Sequence, residues 1–146
     1  MKKELFSAAL ATILLASCNS KPTPDQLALE MILSARTALS QHDYQSAKDS
    51  ILSMREKYPT AIEARQQGIL LLDSVELAKA REELAPIGPQ VDEARAALKV
   101  LMEKPHYKKD PAYHEQNRAV FHLEQLYDSL ATKVKFFERK LLEDQK

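Results

Sequence analysis

One cysteine and four histidines are the most reactive or metal-binding side chains of this 146-residue chain. The stretch HEQNR at 114–118 begins like the helical zinc motif, in which two histidines one turn apart bind the metal. Arg118 stands where the second histidine is required, so the motif is incomplete. The other three histidines, His42, His106 and His122, have no cysteine beside them, and surface or loop positions account for them better than a metal site does.

Catalytic constellations are also missing from the sequence. Many hydrolases place a nucleophilic serine on a glycine-containing turn, and nucleotide-binding enzymes use a glycine-rich loop. The chain contains only two glycines, and neither pattern occurs. Acidic pairs such as Glu82-Glu83 and Glu143-Asp144 are interpreted as solvated helix faces. We therefore expect no enzymatic activity, no cofactor and no metal.

The only cysteine, Cys18, ends an apolar segment at the start of the chain, MKKELFSAALATILLASC. Lys2 and Lys3 precede the apolar run, which extends from Leu5 to Ala16. This order of charge, apolar core and small residues is typical of a secretory signal peptide, and the core is short for a membrane-spanning helix. The alternatives are a cysteine buried in a helix or an uncleaved membrane helix.

The segment Leu15-Ala16-Ser17-Cys18 resembles the lipobox of bacterial lipoproteins. The resemblance implies cleavage between Ser17 and Cys18, a diacylglycerol thioether on Cys18, and a new amino group that is open to acylation. Several acyl chains on one residue anchor a protein stably, whereas a single chain binds reversibly. Asn19 is not the aspartate that keeps enterobacterial lipoproteins on the inner membrane. We therefore expect the outer membrane, with the domain periplasmic or surface-exposed.

Composition predicts a single all-α domain after the signal peptide. Removal of residues 1–17 leaves 129 of the 146 residues, enough for one hydrophobic core. The whole chain balances 21 basic against 21 acidic residues, and the loss of two lysines and one glutamate leaves a formal charge of −1. Nucleic-acid binding needs a clustered basic surplus, so we expect no such partner. Abundant Ala, Leu, Glu, Lys and Gln, without sustained alternation, favour helices.

Prolines divide the chain into segments. The layout consists of a signal peptide at 1–17, a lipidated tether at 18–23 and one helical domain at 24–146, with repeat-like helices at 24–85 and a helical hairpin at 89–146. The APIGPQ stretch at 85–90 separates the two parts, and Pro89 is expected to start the fourth helix. The sequence thus predicts about five helices packed as antiparallel hairpins.

Capping signals mark the starts of the first and third helices. The TPDQ segment at 23–26 combines a capping box with proline at the first helical position. The TAIE segment at 60–63 predicts a second capping box and a third helix that ends near Leu84. Gly68 lies inside this helix, where glycine costs about 1 kcal/mol relative to alanine. We expect a close-packed neighbour at Gly68.

The last helix has the most regular pattern in the chain. It follows a polar loop at 103–111, in which Asp110 is the expected cap and Pro111 the first helical residue. Its inward positions alternate in spacing between 3 and 4 residues: Tyr113, Gln116, Val120, Leu123, Tyr127, Leu130, Val134, Phe137 and Leu141. Such a heptad stripe packs against another helix. The partner is either the third and fourth helices of the same chain or a second chain.

The first two helices resemble a tetratricopeptide repeat, a helix–turn–helix unit of about 34 residues. Tyr44, Ala47, Ile51 and Pro59 match its second-helix signature at the family spacing. The turn KYPTAIEA at 57–64 is faintly similar to the inter-repeat turn of outer-membrane barrel-assembly lipoproteins. These resemblances imply a scaffold that binds other proteins.

The functional expectation is a membrane-anchored lipoprotein that acts as a helical interaction or scaffold module of the bacterial envelope. Its expected partners are the membrane, through the lipid on Cys18, and an envelope protein; no small-molecule substrate is identified. The alternatives are a structural protein that self-associates through the last helix, and an envelope hydrolase or metal-binding protein. Lys133, Lys135, Arg139 and Lys140 are expected to face the negative end of the last helix's dipole or anionic lipid headgroups.

Overall fold

The structure is a computed structural model that describes residues 21–144. Within this range the chain forms five α-helices, one short 3-10 helix at Tyr107–Lys109 and no strand. The α-helices are α1 Pro24–Ser40, α2 Tyr44–Lys57, α3 Ile62–Leu84, α4 Ile87–Met102 and α5 Pro111–Glu143. The predicted all-α fold is confirmed. The predicted signal peptide, the cleavage site at Ser17 and Cys18, and the first residues of the tether lie outside the described residues.

Side-chain caps fix the start of three helices. At α1, Thr23 Oγ1 accepts a hydrogen bond from the Gln26 backbone N–H at 3.2 Å, and Gln26 Oε1 accepts one from the Thr23 N–H at 2.8 Å. This is the predicted capping box. Asp43 caps α2 by accepting from the Ser46 N–H, and Asp110 caps α5 by accepting from the Ala112 N–H.

Two predicted helix starts are wrong in detail. Thr60 forms no capping box, because the N-cap of α3 is Ala61, which makes no side-chain cap. Ala61 is buried in the core, which places the helix start one residue later than the capping signal indicates. Helix α4 begins at Ile87, not at Pro89. Pro89 is tolerated in the first turn because the N–H group it lacks has no partner within the helix there.

The apolar core lies between α1, α2 and α3. Its largest fully buried side chains are Ile32, Ile51, Met54 and Val75. Gly68 on α3 faces three of them: a Cβ added there would lie 2.9 Å from Met54 Cε and 3.4 Å from both Ile32 Cδ1 and Ile51 Cγ2. The predicted close packing at Gly68 is confirmed.

Helices α1 and α3 run in the same direction, with α2 antiparallel to both. A short turn reverses the chain between α1 and α2. Arg65, near the start of α3, contacts Arg55, near the end of α2. Glu76, further along α3, contacts Lys48, which lies earlier in α2, so the two helices run in opposite directions. The first three helices thus form an up–down–up unit, with the N-terminal ends of α1 and α3 at the same end of the molecule.

Helices α3 and α4 form one bent rod, and α5 runs back along both. Ala85 and Pro86, between the two helices, keep right-handed helical dihedrals, so the chain bends there and does not reverse. With 33 residues, α5 is about 50 Å long, enough to pack on α4 with its first half and on α3 with its second. The interpretation of the heptad stripe as antiparallel packing within the chain is therefore confirmed.

Candidate functional site

The four histidines lie at separate places in the fold. His42 and His106 both have φ of 60° and occupy the α1–α2 turn and the 103–110 loop. Histidine is one of the few non-glycine residues that enter this left-handed region with some frequency. His114 Nε2 lies 2.8 Å from the Lys108 carbonyl oxygen, and His122 is exposed. Among residues 21–144, no three side chains suited to metal binding form a cluster.

A polar cluster at the α1–α2 turn joins this turn to α3. His42 Nδ1 lies 3.0 Å from Glu82 Oε2 and 3.0 Å from the Tyr44 hydroxyl, which also donates to Glu82. Hydrogen bonds from Tyr44 and His42 lower the pKa of Glu82, while the bond to Glu82 raises the pKa of Tyr44. The side chains of His42 and Glu82 are 73% and 58% exposed. The cluster therefore joins the α1–α2 turn to α3, and its side chains are open to solvent.

A second polar cluster lies where α5 crosses α3, and we call it the charge seam. It consists of two carboxylates on α3 and three lysines on the flanking helices: Asp73, Glu76, Lys48, Lys133 and Lys140. Glu76 binds Lys48 of α2 at 3.0 Å and Lys133 of α5 at 2.9 Å. The hydrogen bond from Lys133 is the main cause of a lowered pKa at Glu76, opposed by partial burial and reinforced by Lys48. The seam ties three helices together through one side chain.

Asp73 is the one charged residue in the described chain that is fully buried, with 4% of its surface exposed. Its Oδ1 accepts a hydrogen bond from Lys140 Nζ at 2.8 Å, and its Oδ2 has no hydrogen-bond partner. A buried carboxylate without its counter-ion is costly, so Lys140 is the residue that makes this position tolerable. The seam therefore depends on the end of α5 staying in place.

Of the two alternatives for the basic run near the end of α5, the lipid-headgroup one needs correction for Lys133 and Lys140, while Lys140 lies in the last turn as the helix-dipole alternative expects. Lys133 and Lys140 point to α3 and bind Glu76 and Asp73, because the antiparallel register places them opposite these carboxylates. They are not free to face lipid headgroups. Lys135 is exposed on the same helix.

An open cleft of about 330 Å³ lies between α4 and α5. Its lining combines an aromatic ring with charges of both signs: Gly88, Val91, Asp92, Arg95, Glu124, Tyr127 and Asp128. The Tyr127 ring lies beside Gly88, where an added Cβ would be 3.7 Å from Cε2, an ordinary contact distance. Tyr127 remains 40% exposed, although it belongs to the heptad stripe.

The lining of the α4–α5 cleft has three acidic side chains and one basic side chain. Arg95 binds Glu124 through two nitrogens, with Nε at 2.8 Å and Nη2 at 2.7 Å from Oε1. Asp92 and Asp128 add two more carboxylates to the lining. An exposed tyrosine ring beside an acidic surplus can receive the cationic side chain of a partner. The sequence pattern did not reveal this cleft, because it depends on how α4 and α5 align.

Large apolar side chains are exposed along the whole molecule. The most exposed are Ile62 at 70%, Leu142 at 66%, Val100 at 61%, Leu33 at 58% and Phe136 at 55%. They lie on four helices, α1, α3, α4 and α5, and do not form one patch by sequence spacing. Single exposed apolar residues are common on protein surfaces, so their positions matter more than their number.

Comparison with known proteins finds no family model, no curated relative and no solved structure that matches the chain. No helix within residues 21–144 combines the length and the apolarity that a membrane span requires.

Proposed function

We propose that the protein is a membrane-anchored lipoprotein of the bacterial cell envelope whose helical domain binds another envelope protein. The anchor is lipid on Cys18, after cleavage at Ser17, and the outer membrane is the proposed location. The lipobox at 15–18 and the asparagine at 19 support these points. In this proposal the protein has a scaffold role and no catalytic activity.

The observation that carries the interaction role is the α4–α5 cleft. The cleft is open to solvent and presents an exposed tyrosine, an ion pair and two further carboxylates. Aromatic residues with a polar tip are enriched at protein interfaces because they bury a large ring and keep a hydrogen-bonding group. The partner proposed for this cleft is a protein that presents a lysine or arginine side chain.

The tetratricopeptide-like hairpin supports the same class of function. Ala47 and Ile51 are fully buried, and Tyr44 packs against the core with its hydroxyl at the rim. These are the positions at which a repeat of this kind packs its two helices. A helical hairpin stacked on a third helix is the unit from which such scaffolds are built.

Crosslinking in living cells, followed by affinity capture from detergent-solubilised membranes, tests this function. Tyr127→Ala removes the ring from the cleft, and Phe121→Ala is the matched control, since Phe121 is 54% exposed on the same helix outside the cleft. We expect the unaltered protein and Phe121→Ala to capture one envelope protein, and both Tyr127→Ala and Cys18→Ala to lose it.

Two results would contradict the proposal. Equal capture by Tyr127→Ala would exclude the cleft as the binding site. Capture of this protein alone would favour self-association, which would require α5 to present a surface other than the stripe that packs on α3 and α4.

A further inference from the structure

The chain enters its helical domain at the same end of the molecule as the turn between α2 and α3. Ile32 and Gly68 lie side by side in the core. Helix α1 begins eight residues before Ile32 and α3 begins six residues before Gly68, and the two helices are parallel. At about 1.5 Å per residue, both helix starts lie roughly 10 Å from this shared level, on the same side.

This placement matters if the protein is anchored through Cys18, so the inference rests on the proposed function. Cys18 lies five positions before Thr23, the cap of α1. Even fully extended, five residues span at most about 18 Å. A lipid on Cys18 therefore holds the N-terminal ends of α1 and α3 close to the bilayer surface.

The surface at this end suits a lipid interface. Ile62, the first residue of α3, is 70% exposed and is the most exposed large apolar side chain of the described residues. It shares a helix face with Asp73, eleven residues further along. Helix α5 ends three residues after Lys140, which pairs with Asp73, so the described part of α5 does not extend over Ile62. Nothing in residues 21–144 covers this side chain.

The neighbours of Ile62 have the residue types found at membrane interfaces. Tyr58 is half-buried against the core, and Lys57 is exposed just before it. Tyrosine rings sit at the headgroup level, and lysine stems extend along apolar surface with the charge in water. Glu63 is exposed after Ile62, so the turn has charges of both signs and apolar contact is its main attraction to lipid.

We propose that the turn at 58–62 is a membrane-contact site, in which Ile62 enters the boundary between headgroups and acyl chains. The domain then stands on the bilayer on its α1–α3 end. The far end of α4 and the 103–110 loop extend away from the membrane. The α4–α5 cleft is thereby presented to a partner at a distance from the lipid.

Tryptophan fluorescence tests this contact, because the chain contains no tryptophan of its own. Ile62→Trp and Thr60→Trp place one probe each in the turn. Val100→Trp is the matched control, at a residue 61% exposed near the far end of α4. The full lipidated protein is reconstituted in vesicles of phosphatidylethanolamine and phosphatidylglycerol, with and without bromine on the acyl chains. Intact mass of the same samples records the state of Cys18.

We expect the two turn probes to shift to the blue and to lose most of their fluorescence in brominated vesicles, while Val100→Trp keeps its fluorescence. Lipidated protein whose turn probes are not quenched would overturn the contact and leave the anchor standing. Quenching of Val100→Trp as well would overturn the upright orientation. An unmodified Cys18 would overturn the proposed anchor and the contact that rests on it.

Discussion

Gly68 lies where α3 packs tightly against α1 and α2. Its neighbours Met54, Ile32 and Ile51 are fully buried, so they have little space into which to move. Close packing at this point explains why a glycine stands in the middle of a 23-residue helix. Gly88, the only other glycine, has just one neighbour at ordinary contact distance.

We predict opposite effects for alanine at the two glycines. Gly68→Ala gains about 1 kcal/mol of helix propensity but overpacks the core, which costs about 1–3 kcal/mol, so the free energy of unfolding falls by about 1 kcal/mol. Gly88→Ala, the control, leaves the free energy unchanged or raises it by up to about 1 kcal/mol. Urea unfolding followed by circular dichroism measures both. A Gly68→Ala variant as stable as Gly88→Ala would contradict the packing described.

We predict a pH-dependent contribution from Glu76. Its pKa lies below the ordinary 4.5 in the folded protein, chiefly because of the hydrogen bond from Lys133. The ionised form is therefore favoured by folding, and the stabilisation is complete above the unfolded-state pKa and lost as the pH falls through the folded-state pKa. Glu76→Gln is expected to cost on the order of 1 kcal/mol at pH 7 and progressively less below pH 4.5.

Urea midpoints measured from neutral to acid pH test the role of Glu76, with the exposed Glu115→Gln as the control. If the Glu76→Gln variant stays less stable by the same amount at neutral and at acid pH, the ion pairs of Glu76 contribute nothing to folding.

Residue types predicted some of these features and missed others. The cost of glycine in a helix was enough to predict a close neighbour at Gly68. The pairing of Lys133 and Lys140 was missed, because it depends on the register between α3 and α5, which no local pattern encodes. Thr60 failed as a cap because the core buries the residue after it.

Helix α5 is held differently in its two halves. Its first half packs on apolar residues of α4 such as Val91 and Ala94, and contains Val120, the one fully buried residue of the helix. Its second half meets α3 through the charge seam and through Arg81, which binds Glu138 at 2.7 Å. The second half therefore combines these ion pairs with the partly buried stripe residues Leu130, Val134, Phe137 and Leu141.

We predict that Lys140→Met alone destabilises the protein more than the removal of both Asp73 and Lys140 does. The single change leaves Asp73 buried without a counter-ion, at a cost of about 1–3 kcal/mol. Asp73→Leu combined with Lys140→Met removes both charges and should restore most of the stability. Lys135→Met, an exposed position on the same helix, should change the free energy of unfolding by less than about 0.5 kcal/mol. Equal stability of the Lys140→Met and Lys135→Met variants would contradict this account.

Patterns at the element scale gave a reliable outline of the helices. Caps at Thr23 and Asp110 and the heptad stripe of the last helix predicted α1 and α5 closely. The sequence predicted that the helix would break near Pro86, but it did not predict the direction that the chain takes after the break. Since the dihedrals stay helical, α4 continues the direction of α3, and one long helix packs on both.

The whole molecule combines an apolar three-helix core with an extended rod. The core supplies the largest fully buried side chains, and the bent α3–α4 rod with α5 carries the α4–α5 cleft and most of the ion pairs. A molecule of this shape suits the proposed role, in which one end stays at the membrane and the other is presented to a partner. The sequence predicted the helices and the proposed anchor, but not the cleft, whose lining comes from residues on two helices.

We predict that the domain without residues 1–17, with Cys18→Ala, is a monomer. The heptad stripe that would drive self-association packs on α3 and α4, with Val120 only 7% exposed. Sedimentation equilibrium should give the mass of one chain across the concentration range. A dimer mass that persists on dilution would favour the self-associating alternative.

The proposed lipid anchor is tested most directly by the intact mass and the N-terminal peptide mass of the protein extracted from bacterial membranes. We expect residues 1–17 to be absent and Cys18 to be the first residue, with the added mass of a diacylglyceryl group and any further acyl chain. A chain that begins at Met1, or one that is cleaved but has an unmodified Cys18, would contradict a lipid-anchored protein.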